Sequence, residues 1–350
     1  MQNLSQLKAL IQGSPLKIII TTHHKPDADA LGSSLALFNF LKNFQQDITV
    51  IVPSDYPKFI FWMPGNNCVI NFEESRTTKQ KAAELIVNAD LIFCLDFSCY
   101  DRINDMAAMV KQSHAKKVLI DHHLNPTIKA DFTLWDAKAA ATCELIYDFI
   151  IALGEKNKID VKIAECIYAG IMTDTGSFRF PTATKKVHLI IADLIDLGID
   201  NSKIHRLIYD NNTEERLRFL GYTLNKRLIV LDNYHTSYIV LSKDELGNFH
   251  SQTGDTEGLV NYALSIEGIC LAAIIIERDD MVKLSFRSSG DFAVNEFAGK
   301  HFEGGGHKNA AGGKSPLSLH DTLEKFLDLL PQYQNQLNNE FKQSTVLMPC

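Results

Sequence analysis

Long apolar runs are missing from this chain. No stretch of its 350 residues reaches the roughly 18 consecutive apolar positions that a membrane span needs, so an integral membrane protein is not expected. The first thirty residues also lack the apolar core of an export signal, because Ile18-Ile19-Ile20 gives way at once to Thr21-Thr22-His23-His24. Cysteine pairing is the next absence. Seven cysteines, an odd number, are scattered from Cys68 to Cys350 with no C-x-x-C pair, which excludes a disulfide scaffold and a cysteine-type zinc site. They read as reduced, mostly buried thiols of a cytoplasmic protein. Basic charge is in deficit: 35 Lys+Arg against 42 Asp+Glu leave −7, a balance that repels long or duplex nucleic acid and leaves room for a small anionic substrate held by local cations.

What remains is an ordinary globular composition, 45% hydrophobic and 22% charged, in a chain long enough for two domains. Its first half alternates short apolar runs with helical spacing. Strands are expected at Lys17–Thr22, Ile48–Val52, Leu91–Leu95 and Val118–Ile120, with helices at Ala30–Phe44 and Gln80–Val87 between them. Such alternation predicts an α/β fold with a largely parallel sheet and helices on both faces. Helical patterns follow at 139–154, 161–172, 184–197 and 213–226. Strand candidates then appear at Thr236–Leu241, Ile269–Glu277 and Met281–Arg287, the last two joined by a turn at Asp279-Asp280. Phe178 and Phe180, alternating around Arg179, read as a half-buried strand. The expected division is a catalytic domain over 1–200, a helical connector over 201–232, a smaller α/β domain over 233–335 and a polar tail over 336–350.

The acids and histidines fall in a pattern. Three apolar runs end directly in potential ligands: the first in His23, His24, Asp27 and Asp29, the second in Asp96, the third in Asp121, His122 and His123. In an open α/β sheet the carboxyl ends of the strands converge on one crevice, where ligands bind. Carboxylates gathered there repel one another unless cations neutralise them. Mixed oxygen and imidazole donors suit a divalent ion, Mn²⁺ ahead of Mg²⁺. Asp27 and Asp29, two residues apart, can reach two different ions, which points to two-metal hydrolysis.

The motifs H-x-x-P-D-x-D-A-x-G-S at His23–Ser33, Asp96 after an apolar strand, Asp121-His122-His123 and Thr173-Asp174-Thr175-Gly176 resemble the four motifs of the DHH phosphoesterase superfamily. The segment Gly304-Gly305-Gly306-His307-Lys308-Asn309-Ala310-Ala311-Gly312, with Ser285-Phe286-Arg287-Ser288 before it, is similar to the DHH-associated domain. The resemblance spans about residues 15–330 in the family's order and is greatest to the oligoribonuclease/pAp-phosphatase branch. It implies one ion on His23 and Asp27, a second on Asp29, His122 and Asp174, and Asp96 bridging them. Four carboxylates against two divalent ions sum to about zero, leaving the site able to take a hydroxide and an anionic phosphate. His123 would contact the scissile phosphate, and Asp121 would orient a neighbour. Arg287, Gly304, Gly305, Gly306 and His307 would grip the nucleotide away from the scissile bond.

The activity so implied is hydrolysis of very short oligoribonucleotides and of 3′-phosphoadenosine 5′-phosphate (pAp) by two-metal hydroxide attack on phosphorus. Phosphodiesterase action on pApA or cyclic dinucleotides is the near alternative. A nucleotide-binding protein without turnover is the distant one, and the presence of all six ligand positions speaks against it. Short RNA and phosphorylated nucleotides would be the only nucleic-acid partners, with no membrane partner and a monomer or homodimer as the assembly.

Overall fold

The computed structural model describes residues 3–346. The chain divides between Asn211 and Asn212 into two compact units, inside the segment expected to be a connector. That segment holds two helices, one in each unit.

The first unit comprises α1 (Leu4–Gln12), β1 (Lys17–Thr21), α2 (Ala28–Leu41), β2 (Asp47–Val52), β3 (Ile70–Asn71), α3 (Arg76–Val87), β4 (Leu91–Leu95), α4 (Ala107–Gln112), β5 (Lys116–Asp121), β6 (Phe132–Trp135), α5 (Thr142–Ala152), α6 (Val161–Asp174), α7 (Lys185–Asp196) and α8 (Asn201–Tyr209). Its six strands are all parallel, in the order β3-β2-β1-β4-β5-β6. The chain moves outward from β1 in one direction through β2 and β3, then in the other through β4, β5 and β6. The order therefore reverses between β1 and β4, and a crevice opens at their carboxyl ends.

Alternation along the strands makes the sheet two-sided. Ile18 and Ile20 of β1 and Leu91, Phe93 and Leu95 of β4 enter one core with α2, α5 and α6, whereas Ile19, Ile92 and Cys94 enter the opposite core with α3 and α4. Truncating Phe93, which is fully buried, would cost about 3–5 kcal/mol on the scale of large-to-small core changes. Helix α2 is buried on nearly all sides, only Asn39 being partly exposed, so it is a central helix rather than an amphipathic one. Gly32 allows α6 to pack against it, since a Cβ there would lie 2.7 Å from the Cys166 carbonyl oxygen.

The second unit comprises α9 (Glu214–Lys226), β7 (Leu228–Leu231), β8 (Thr236–Leu241), α10 (Lys243–Asn248), α11 (Leu259–Leu264), β9 (Leu271–Glu277), β10 (Val282–Ser288), α12 (Val294–His301), β11 (Gly305–His307), β12 (Ala310–Ser315) and α13 (Leu319–Val346). Its sheet runs β11-β12-β10-β9-β8-β7, with only β8 and β9 parallel. Leu271, Ala273 and Ile275 face a core with Phe286, Phe297, Phe302 and Phe326, while Ala272, Ile274 and Ile276 face one with Phe219, Leu259 and Val260.

Two sequence expectations need correction. Residues 336–346, read as polar tail, continue α13, because Leu330, Tyr333, Leu337 and Phe341 keep a three- and four-residue spacing against the core that the polar composition hides; residues 347–350 lie outside the described residues. Phe178–Phe180 is a turn instead of a strand, with Gly176, Ser177 and Phe178 at φ of 57°, 61° and 63°. Among the described residues no helix is long and apolar enough to cross a membrane.

Candidate metal centre

Asp27 is the N-cap of α2. Its Oδ1 accepts the N–H groups of Asp29 and Ala30, each at 3.0 Å, while Oδ2 lies 3.9 Å from His23 Nε2. Asp29, in the first turn of the same helix, is fully buried and held by the start of α5: Thr142 N–H donates to its Oδ2 at 2.7 Å and Cys143 N–H to its Oδ1 at 2.8 Å. The positive end of α5 thus favours a charged carboxylate there. His122, after β5, donates Nδ1–H to the Ala139 carbonyl 3.2 Å away, because a carbonyl can only accept. That bond turns Nε2 toward the acids. Asp174 is the last residue of α6.

Asp96 stands between two groups. It adopts φ 63°, a left-handed conformation uncommon outside glycine, and is 2% exposed. Its Oδ2 is 3.4 Å from His23 Nε2, whereas its Oδ1 is 3.5 Å from His122 Nε2 and accepts the Thr142 hydroxyl at 2.7 Å. Nε2 of His122 lies 3.4 Å from Asp174 Oδ2 and 3.9 Å from Asp29 Oδ2. The donor atoms of His23, Asp27 and Asp96 fall within 4.8 Å of one another, as do those of Asp29, His122 and Asp174. The structure therefore brings all six predicted ligands together and leaves His24 aside, 3.5 Å from Glu73.

The charges fit cations. Burial and the Asp96 charge push Asp29 up to about 7, and desolvation with the charges of Asp29 and Asp27 raises Asp174 well above the carboxylate range although 27% of its side chain is exposed. Burial works to raise Asp96 and to lower His122 and His23. The pairing of the carboxylate with both imidazoles wins, so Asp96 is held well below its ordinary value, His122 well above and His23 above. Two neighbouring acids both raised above the ordinary carboxylate value are the signature of a carboxylate set short of positive charge. These oxygen and imidazole donors suit divalent cations.

Other residues complete the centre. His123 pairs Nδ1 with Oδ1 of the fully buried Asp121 at 2.8 Å, and its carbonyl accepts from Trp135 Nε1 at 2.6 Å. Thr142, Trp135 and Arg102 were missed in the sequence. Arg102 accepts the His24 N–H at 2.7 Å through its carbonyl, and its charge opposes protonation of His23. Six residues after Asp96, in a short 3-10 helix interrupted at Asn104, it carried no periodic signal.

In the second unit, Arg287 pairs with Ala310, and Ala310 with His307, across β10, β12 and β11. Residues in one cross-strand row point to one face, so Arg287 and His307 share a face about two strand spacings, roughly 10 Å, apart. Arg287 Nη1 donates to the Phe286 carbonyl at 3.0 Å. The glycines differ. A Cβ at Gly304 would lie 2.8 Å from Gly313 Cα and one at Gly306, at φ 143°, 2.9 Å from Ala311 Cα, whereas one at Gly305 would meet nothing. Close strand approach thus explains Gly304 and Gly306, and Gly305 alone opens outward.

Residues 17–171 match the DHH family, N-terminal domain, and residues 232–336 match the DHHA1 domain. The chain is 30% identical over 301 residues to the bifunctional oligoribonuclease and PAP phosphatase NrnA of Bacillus subtilis, covering 84% of this chain and 88% of that protein. It is 29% identical over 314 residues to the enzyme of the same name from Thermus thermophilus, covering 89% and 88%. A crystal structure of an exopolyphosphatase-related protein from Bacteroides fragilis is similar at 37% identity and a TM-score of 0.89, covering 96% of this chain and 97% of that one. With both domains matched in order and the ligand set assembled at the sheet's switch point, this chain belongs to the DHH family.

Proposed function

We propose that this protein is a Mn²⁺-dependent phosphoesterase that uses two cations to release mononucleotides from very short RNA and phosphate from pAp. The observation that carries the reading is the division of Asp96, with Oδ2 toward His23 and Oδ1 toward His122. One carboxylate so placed would serve two cations, with His23 and Asp27 completing one set and Asp29, His122 and Asp174 the other. The similarity to NrnA supports the substrate class.

Two cations held by these residues would supply an acidified water as nucleophile and neutralise the charge of a phosphate. The chain's own residues do the rest. Thr142, Cys143 and the start of α5 hold the Asp29 and Asp96 carboxyl groups in orientation. Asp121 accepts from His123 Nδ1–H, which orients the ring and leaves Nε2 as the atom to meet the scissile phosphate. Arg287 and His307 supply cationic and hydrogen-bonding contacts to a distal phosphate, with Gly305 leaving backbone exposed beside them.

The test is a side-by-side rate comparison on pAp, pApA, five-nucleotide RNA, pyrophosphate and inorganic polyphosphate, with Mn²⁺ and with Mg²⁺. Turnover of pAp and the oligomers with Mn²⁺ supports the reading. A metal-loaded, folded protein that hydrolyses polyphosphate alone would replace it with the activity named for the Bacteroides fragilis relative.

A further inference from the structure

The turn after Asp174 takes no part in the metal centre, yet it is built tightly. Ser177 N–H donates to the Met172 carbonyl at 2.7 Å, Phe178 N–H to Thr175 Oγ1 at 3.0 Å, and the N–H groups of Arg179 and Phe180 to the Thr175 carbonyl at 2.9 and 3.0 Å. Ser177 and Phe178 hold left-handed conformations that cost energy for residues with a Cβ. Phe178 is the inward anchor, its ring 5.8 Å from that of Tyr168 and 6.4 Å from that of His205. The consequence is that Arg179 and Phe180 are exposed, Phe180 at 38%.

Their position is fixed relative to the metal ligand. Asp174 and Gly176 are two residues apart, so their Cα atoms are at most about 7 Å apart. The Phe180 ring lies flat enough over Gly176 that a Cβ there would come within 2.5–2.8 Å of three ring carbons. A partly exposed aromatic ring is therefore held against Gly176, two residues from Asp174. Arg179 donates Nε–H to the Gly176 carbonyl at 2.6 Å, so its two Nη groups are the ones that would meet a phosphate. Tyr209, 42% exposed at the end of α8, is within electrostatic reach of both Arg179 and Asp174.

We propose that Phe180 is a stacking platform for the nucleobase next to the scissile phosphate, with Arg179 gripping the phosphate of that nucleotide. Every base has a π-face, so such a platform binds nucleotides without selecting among them. It rests on the phosphoesterase reading and adds a subsite to it. Here the glycine at 176 has a reason beyond its φ of 57°: any side chain would displace the ring.

The experiment compares Phe180→Leu, Phe180→Ala and Phe180→Trp with the unaltered protein on a diribonucleotide and on two analogues, each lacking one of the two bases. Stacking predicts that Leu and Ala raise KM for the diribonucleotide about 5- to 150-fold with kcat little changed, and that Trp restores it. It also predicts that on one abasic analogue the Phe180 variants lose nothing further. Arg179→Gln would raise KM on all three substrates alike. Full rescue by Leu, or equal losses on both abasic analogues, would overturn the proposal by making Phe180 a packing residue. Should the unaltered protein turn over no dinucleotide, the phosphoesterase reading fails instead. The subsite is then decided by fluorescence of Phe180→Trp in the metal-free protein: added quenching by AMP, relative to the unaltered protein, supports it, and none overturns it.

Discussion

The Thr142 hydroxyl donates to Asp96 Oδ1 at 2.7 Å inside a fully buried contact, and the same residue's N–H donates to Asp29 Oδ2. One residue at the start of α5 thereby orients a carboxylate from each of two other elements. Replacing Thr142 by Val removes the hydroxyl and keeps the shape. Loss of such a supporting bond typically weakens metal affinity about 10- to 100-fold. Calorimetric titration with Mn²⁺ should show that loss in Thr142→Val and its recovery in Thr142→Ser, with the unfolding temperature of the metal-free variants little changed. Unaltered Mn²⁺ affinity in Thr142→Val would remove Thr142 from the centre.

The pH dependence has a definite sign. Asp29 holds its proton up to about 7 in the metal-free fold, against about 3.9 in an unfolded chain. Between those values the folded chain binds more protons, so stability falls as pH rises from about 4 to about 7. Asp174, also raised, acts in the same direction. His122 stabilises fully below about 6.5, and that contribution is lost as pH rises through its elevated folded value. Asp96, held low, opposes only at the acid end, its contribution being lost as pH falls below about 3.9 toward its folded value. Divalent cations require the deprotonated acids and neutral imidazoles. Thermal unfolding in chelator should therefore show a falling transition between about pH 5.5 and 8, and the increment produced by Mn²⁺ should grow over that range. A constant increment would contradict the charge assignment.

Gly305 and Gly306 are neighbours with different duties. Gly306→Ala must push a Cβ against the β12 backbone and should cost about 2 kcal/mol or more. Gly305→Ala meets open space and should stay within about 0.5 kcal/mol of the unaltered protein. A thermal unfolding scan of the two variants separates them. If Gly305 lies beside the bound phosphate, its variant will nonetheless raise KM for pAp.

Five of the six proposed metal ligands were legible in the sequence for a physical reason, and Asp174 only through the resemblance of its motif. His23, Asp96 and His122 each follow an apolar run, and a buried parallel strand is the simplest structure for such a run. Its carboxyl end then places whatever comes next. Asp27 and Asp29 were legible through their two-residue spacing at the start of α2. Thr142 was not, since a threonine in a first helical turn is commonplace and its value depends on the start of α5 reaching the carboxylate that follows β4. The turn at 176–180 was misread because Phe-Arg-Phe has the period of a strand, and only Thr175 as a shared acceptor shows the chain folding back. The second half of α13 was read as a polar tail because its apolar residues thin out while keeping their spacing.

The central claim is that Asp96 serves two cations at once, and anomalous scattering from crystals of the Mn²⁺-soaked protein tests it directly. Two manganese peaks about 3.5–4 Å apart are expected, one beside His23 and Asp27, the other beside Asp29, His122 and Asp174, with Asp96 Oδ2 on the first and Oδ1 on the second. A single peak, or a pair that Asp96 does not touch, would contradict the account.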